Sequence, residues 1–257
     1  MVRALYSSYT GMYNEQKRLD IISNNIANST TTGYKEESVT SQAFDQMLAI
    51  KIRDGSDAYI NRPVGHMSLG VKLGEVYSDF EQGPLRNTGG TYDLAIAGKG
   101  FFTIRVEDKK GNSSVKYTRD GNFTIDAEGF VLDSKGNHLQ GRDGDLQVPV
   151  GAADVSISNT GLVTADGVAV GHIDLVDFQD YDYLEKFGDT QYTATPGSEF
   201  KETNAAIEQG YLEQSNVNVV SEMVNMITIT RAYEANQRVM RTVDTLLDKA
   251  VNSIGRL

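Results

Sequence analysis

Apolar residues recur every seven positions at both ends of the chain, and at no fixed period over most of the stretch between them. Near the N-terminus the series is Leu5, Met12, Leu19 and Ile26, with Tyr9 and Ile22 partly filling a neighbouring row. Sevenfold spacing predicts a helix with a narrow stripe of the coiled-coil type rather than a broad amphipathic face. Gly11 interrupts that helix at a cost of about 1 kcal/mol relative to alanine, so the reading expects a break or a close approach there. Asn24, Asn25 and Asn28 share one polar side, and the run Ser29-Thr30-Thr31-Thr32-Gly33 predicts the helix end. The C-terminal series is longer: Val219, Met226, Tyr233, Met240, Leu247 and Ile254, with a second row at Val239, Val243, Leu246 and Ala250. Asn218 or Ser221 is suited to cap this helix, and Glu222 lies where the helix dipole favours an acid. Arg231, Arg238 and Arg241 offer charge to solvent or to a partner. From Val219 to Ile254 such a helix runs roughly 50 Å, long against the core of one domain. The two helices are therefore expected to pack on each other and on neighbouring chains.

The middle reads differently. All four prolines, and 22 of the 25 glycines, fall between Gly55 and Gly210, where helix interiors are excluded and turn-rich β structure is favoured. Residues 35–88 show no sustained period; Arg53-Asp54-Gly55-Ser56-Asp57 reads as an exposed loop, and Val71, Leu73 and Val76 give a short alternation. From residue 92 to 211 the pattern predicts a meander of short antiparallel strands. Leu94–Ile96, Phe101–Val106 and Ile173–Phe178 are strand candidates. Asp120-Gly121-Asn122, Asp143-Gly144, Asn159-Thr160-Gly161 and Asp166-Gly167 mark the turns.

Composition narrows the function classes. The 257 residues carry a net charge of −11 and no cysteine, which argues against an unaided nucleic-acid binder and removes thiolate chemistry and disulfides. No apolar run is long enough to span a membrane, and the N-terminus is too polar for a cleaved signal peptide, so export by that route is not expected. His66, His138 and His172 are scattered, without metal-ligand spacing. Gly98-Lys99-Gly100 lacks the spacing and hydroxyl of a phosphate loop, and the aspartates between Asp120 and Asp145 fail the calcium-loop pattern, with Val131 and Gly144 at the twelfth positions. No catalytic residues, cofactor or metal ligands are assigned, and the chain does not read as an enzyme.

The termini then carry a specific resemblance. Thr10-Gly11, Leu19-Asp-Ile-Ile-Ser-Asn-Asn-Ile-Ala-Asn28 and Thr32-Gly-Tyr-Lys35 stand at one end, and Leu212-Glu-Gln-Ser-Asn-Val-Asn-Val219, Met226-Ile227 and Arg231-Ala-Tyr-Glu234 at the other. Between them lie Asp93-Leu-Ala-Ile96, Gly98, Gly100-Phe-Phe102 and Tyr117-Thr-Arg-Asp-Gly-Asn-Phe123. Together these motifs resemble the axial rod and hook proteins of the bacterial flagellar basal body. The length and the Leu212–Val219 run look most like the distal-rod members, although Ile229-Thr230 stands where that subfamily often has Thr-Gln. Proximal-rod and hook-like paralogues are the alternative, and a secreted β-rich adhesin or binding module a more remote one.

The resemblance implies an α+β fold. Residues 1–34 and 213–257 would pair as a discontinuous, coiled-coil-like axial domain, 35–88 would form an extended, irregular connector, and 89–212 a β-rich outer domain. It implies a structural subunit polymerising helically into a hollow drive shaft. The subunit would be exported by the flagellar type III apparatus and located outside the cytoplasmic membrane, where no membrane insertion is needed. Its partners would be copies of itself, neighbouring rod and hook subunits, and a bushing ring or the cell wall. Leu5, Met12, Leu19, Ile22, Ile26, Val219, Met226, Tyr233, Met240, Leu247 and Ile254 are expected to pack subunits. Asn24, Asn25, Asn28, Asn216, Asn218 and Arg231 are expected to set register through polar contacts. Exposed stripes should leave residues 1–28 and 220–254 disordered in an isolated monomer.

Overall fold

The computed structural model describes residues 2–45, 47–51, 62–107, 111, 113–152, 154–201, 203 and 205–254. The loop expected at Arg53–Asp57 lies outside the described residues. The protein is α+β, a helix at each end and a β-rich middle, and the chain divides into two compact units.

The first unit comprises Met1–Ile26, Glu37–Ser78 and Val219–Leu257. Helix α1 runs Val2–Ala27 without a break at Gly11, and helix α2 runs Val219–Lys249, continued by a π-type turn over Ala250–Ile254. The stretch read from sequence as an irregular connector contains strands. Glu37–Ala43 pairs antiparallel with Val71–Ser78 through a bulge between Val39 and Ser41, and Met47–Lys51 pairs with Arg62–Met67. Ser38, Thr40, Ser41 and Gln42 hide the first strand from a hydrophobicity pattern, because this ribbon is held by polar bonds rather than by an apolar face. Asn14 Nδ2 donates to Ser41 Oγ at 2.9 Å, Ser7 Oγ to the Leu69 carbonyl at 3.3 Å, and the Val71 N–H to Thr10 Oγ1 at 3.4 Å. The Asn25 amide acts as a surrogate peptide: its Nδ2 donates to the Glu37 carbonyl at 2.8 Å and its Oδ1 accepts the Glu37 N–H at 3.0 Å.

The second unit comprises Ala27–Glu36 and Asp79–Asn218. Its main sheet has ten strands, all antiparallel, ordered along the principal path as Leu184–Phe187, Gln191–Ala194, Ser113–Thr118, Phe101–Glu107, His138–Gly141, Val131–Asp133 and Phe123–Ile125. Leu175–Phe178 adds to Phe101–Glu107, and Val155–Ile157, Leu162–Ala165 and Val168–His172 make a separate three-stranded meander. The turn signals Asp120-Gly121-Asn122, Asn159-Thr160-Gly161 and Asp166-Gly167 fall between strands, whereas Gly144 opens the short strand Gly144–Asp145, which pairs with His138–Gly141. At Asp166-Gly167 both residues have positive φ, 51° and 81°, as a two-residue I′ hairpin requires. Gly121 meets a different demand: a Cβ there would lie 1.6 Å from the Leu94 carbonyl oxygen, which is where the strand Leu94–Ala97 begins. A core of Leu94, Ile96, Phe102, Ile104, Phe123, Leu139, Ile173, Ile207 and their neighbours fills the sheet's inner side, and an aromatic cluster of Phe101, Tyr117, Phe178 and Tyr192 packs edge to face beside it.

Candidate assembly surface

Three motifs that are distant in sequence converge inside the β unit. Lys35 is fully buried and donates from Nζ to Glu213 Oε1 at 2.6 Å and to the Glu81 carbonyl at 2.7 Å. Glu213 Oε1 also accepts the Gly83 N–H at 3.0 Å, and its Oε2 accepts from Arg119 Nη1 at 3.2 Å. Burial, opposed by the Glu213 carboxylate, pulls the Lys35 ammonium below its ordinary pKa. Around this lock Thr32 Oγ1 donates to Asp120 Oδ1 at 2.6 Å, and the Gly33 N–H donates to the Glu213 carbonyl at 2.9 Å. Burial raises the Asp120 carboxyl, and the hydrogen bonds from Thr32 and the Asn122 N–H offset this only in part. Gly33 has φ 65° and a Cβ would meet the Asp120 N–H at 2.4 Å, so only glycine allows the chain through. Asn216, expected to set contacts between subunits, here bridges within the chain: its Oδ1 accepts the Glu36 N–H at 2.8 Å and its Nδ2 donates to the Asp79 carbonyl at 2.9 Å. Asn218 is exposed.

The helical unit holds the remaining expected contacts. On α1, Leu5, Ser8, Met12, Glu15, Leu19, Ile22 and Ile26 are buried or half-buried in 3-4 alternation. On α2 the same alternation covers Glu222, Met226, Ile229, Tyr233, Asn236, Met240, Val243, Leu247 and Ala250. The sevenfold series seen in sequence is thus one half of each seam, and its polar members (Ser8, Glu15, Glu222, Asn236) were invisible to an apolar count. Val219 is exposed, and the side chain of Ile254 lies outside the described ones. The second C-terminal row is split: Val243 is buried and Ala250 half-buried, but Val239 and Leu246 are exposed, because they lie about 40° and 60° from Val243 on the side away from Met240 and Leu247, which continue the seam. Asn25 is buried and donates to Glu222 Oε2 at 3.2 Å, while Asn24 is exposed and Asn28 half-buried, its Oδ1 accepting from Thr31. Arg231 is exposed. Gly11 marks a close approach rather than a break: a Cβ there would lie 3.1 Å from Asn236 Nδ2.

Those two contacts fix a register. From Gly11 to Asn25 is the same number of residues as from Asn236 back to Glu222, so α1 and α2 run antiparallel in step. Outside the seam, Tyr6, Tyr9 and Tyr13 on α1 and Val220, Met223, Val224 and Ile227 on α2 remain exposed. No group of His, Asp and Glu fit to hold a metal ion occurs among the described residues, and no helix among them is long and apolar enough to cross a membrane.

Buried polar groups committed to each other, and apolar rows displayed on terminal helices, define a structural subunit. The comparisons agree and name the kind. The chain matches the families described as flagella basal body rod protein over residues 5–35, flagellar hook protein FlgE/F/G D1 domain over 95–165, and flagellar basal body rod FlgEFG protein C-terminal over 208–253. It is 36% identical to the flagellar basal-body rod protein FlgF of Caulobacter vibrioides, covering 100% of both chains. It is 34% identical to FlgG of Bacillus subtilis over 98% of this chain and 99% of the relative, and 32% identical to FlgG of Borreliella burgdorferi over 98% of each. The chain belongs to the flagellar basal-body rod protein family. It is a structural subunit of the rod, not an enzyme.

Proposed function

We propose that the chain polymerises helically through its terminal helices into a hollow shaft, as a distal segment of the rod. One observation carries this reading: each terminal helix buries a single heptad seam and leaves a second apolar row exposed. The in-step antiparallel contacts at Gly11–Asn236 and Asn25–Glu222 support coiled-coil-like pairing of the two helices. The axial layer then draws on residues 1–34 and 213–257, and the β body of residues 89–212 forms the outside of the shaft. Copies of the chain and neighbouring rod and hook subunits are the partners along the axis. A bushing ring or the cell wall faces the outer surface. Delivery is by the flagellar type III apparatus, to a position outside the cytoplasmic membrane. The distal position draws on the relatives named FlgG; the FlgF relative spans the chain equally well. Imaging purified basal bodies with this subunit labelled tests the position.

A chain reduced to residues 27–218 tests the mechanism. Every member of the two β-unit cores lies within that span, so the truncated protein is expected to keep cooperative unfolding while losing the ability to polymerise. A β-rich adhesin whose helices merely dock on its own sheet would instead unfold when its ends are removed. Loss of the cooperative transition on truncation would count against the axial reading.

A further inference from the structure

Apart from exposed Val219, the described heptad residues that sequence assigns to subunit contacts are buried or half-buried within the helical unit, so a neighbour must use other surfaces as well. Two exposed apolar rows near the helix N-termini stand out among the described residues. Tyr6, Tyr9 and Tyr13 form an exposed row on α1, spaced three and four residues apart. Val220, Val224 and Ile227 form an exposed row on α2, spaced four and three apart. The ribbon bonds α1 through Ser7, Thr10, Asn14 and Asn25, which leaves the tyrosine row uncovered.

We propose that the tyrosine row of one copy packs against the Val220/Val224/Ile227 row of the next, making a head-to-tail contact between identical chains. This inference rests on the polymer reading above and names its contact. Three features select a second copy as the occupant. The rows are complementary, flat aromatic faces against branched aliphatic side chains. They have equal length, about 10 Å each at the helical rise. In copies stacked with one polarity, α1 of one and α2 of the next run antiparallel, as they do within a chain. The spacings then coincide, Tyr6 opposite Ile227, Tyr9 opposite Val224 and Tyr13 opposite Val220. In the intrachain register, by contrast, Tyr6, Tyr9 and Tyr13 lie level with Arg241, Arg238 and Glu234. The two rows therefore sit at opposite ends of the helix pair, offset by about 14 residues or 21 Å. A patch at one end that fits a different patch at the other cannot close on itself as a twofold dimer; it propagates.

The absence of cysteine makes the test direct. Full-length Tyr9→Cys and Val224→Cys variants are mixed under assembling conditions and oxidised, with Tyr9→Cys plus Val239→Cys as the control pair. The expected result is a covalent heterodimer of Tyr9→Cys with Val224→Cys, formed at least tenfold faster than either homodimer or the control. Pelletable polymer with no preferred Tyr9–Val224 cross-link overturns this contact and leaves the polymer reading standing. Preferential homodimers overturn it by showing a twofold interface. Absence of any association across the accessible concentration range overturns both.

Discussion

Glu213 shows what a single residue decides in this protein. Its carboxylate receives Lys35, Arg119 and the Gly83 N–H, all deep in the β unit. Replacing it with glutamine leaves two buried cations without a counter-charge, and breaking such a buried pair costs about 3–5 kcal/mol. Glu213→Gln is therefore expected to lower the urea midpoint sharply, and a midpoint within error of wild type would show the lock to be dispensable. The pH dependence follows from Lys35. Its ammonium titrates below the ordinary 10.5 in the folded protein, so between the folded and unfolded values the folded state binds fewer protons. Stability conferred by this side chain accordingly rises with pH across that window. The unfolding free energy of wild type, minus that of Lys35→Met, should increase on moving from neutral pH toward pH 10; a flat or falling difference would refute the assignment. Lys35, Arg119 and Glu213 each stood inside a motif visible in sequence. Nothing in spacing indicated that they meet, because residues 35 and 213 are joined by tertiary contacts alone.

At the scale of elements, the two helices were legible from period seven, and so were their approximate ends. Their burial is thin. Ile22, Ile229 and Val243 are the buried apolar side chains of the described helical residues, the other apolar members of each seam being half-buried. Amides of residues 1–28 and 220–254 are thus expected to exchange much faster than those of Phe101–Glu107 in a dilute monomer, and to slow by at least about tenfold on assembly. Strong protection in the monomer would contradict the thin-burial argument. The ribbon of Glu37–Ala43 and Val71–Ser78 escaped the sequence because its cohesion is polar. Asn25 and Asn14 hold it through amide bonds that leave no hydrophobic signature.

For the whole molecule, charge and packing are segregated. Acidic and basic residues nearly balance in the helical unit, so the net charge of −11 is carried by the β unit. Like-charged bodies brought side by side in a polymer repel, and salt screens that repulsion with a Debye length of about 10 Å at 0.1 M. The critical concentration for polymerisation is expected to fall as salt rises from about 0.02 to 0.2 M; a rise would mean that attractive ion pairs dominate the contact. Sequence by itself determined the helical ends, the turn-punctuated β middle and the family, since periodicity, glycine placement and local motifs are written in consecutive residues. Only the tertiary structure decided which heptad positions are covered within the chain and which apolar rows stay exposed. A helix side chain's partner depends on the register of a second, distant segment, and here two contacts, Gly11 with Asn236 and Asn25 with Glu222, set that register.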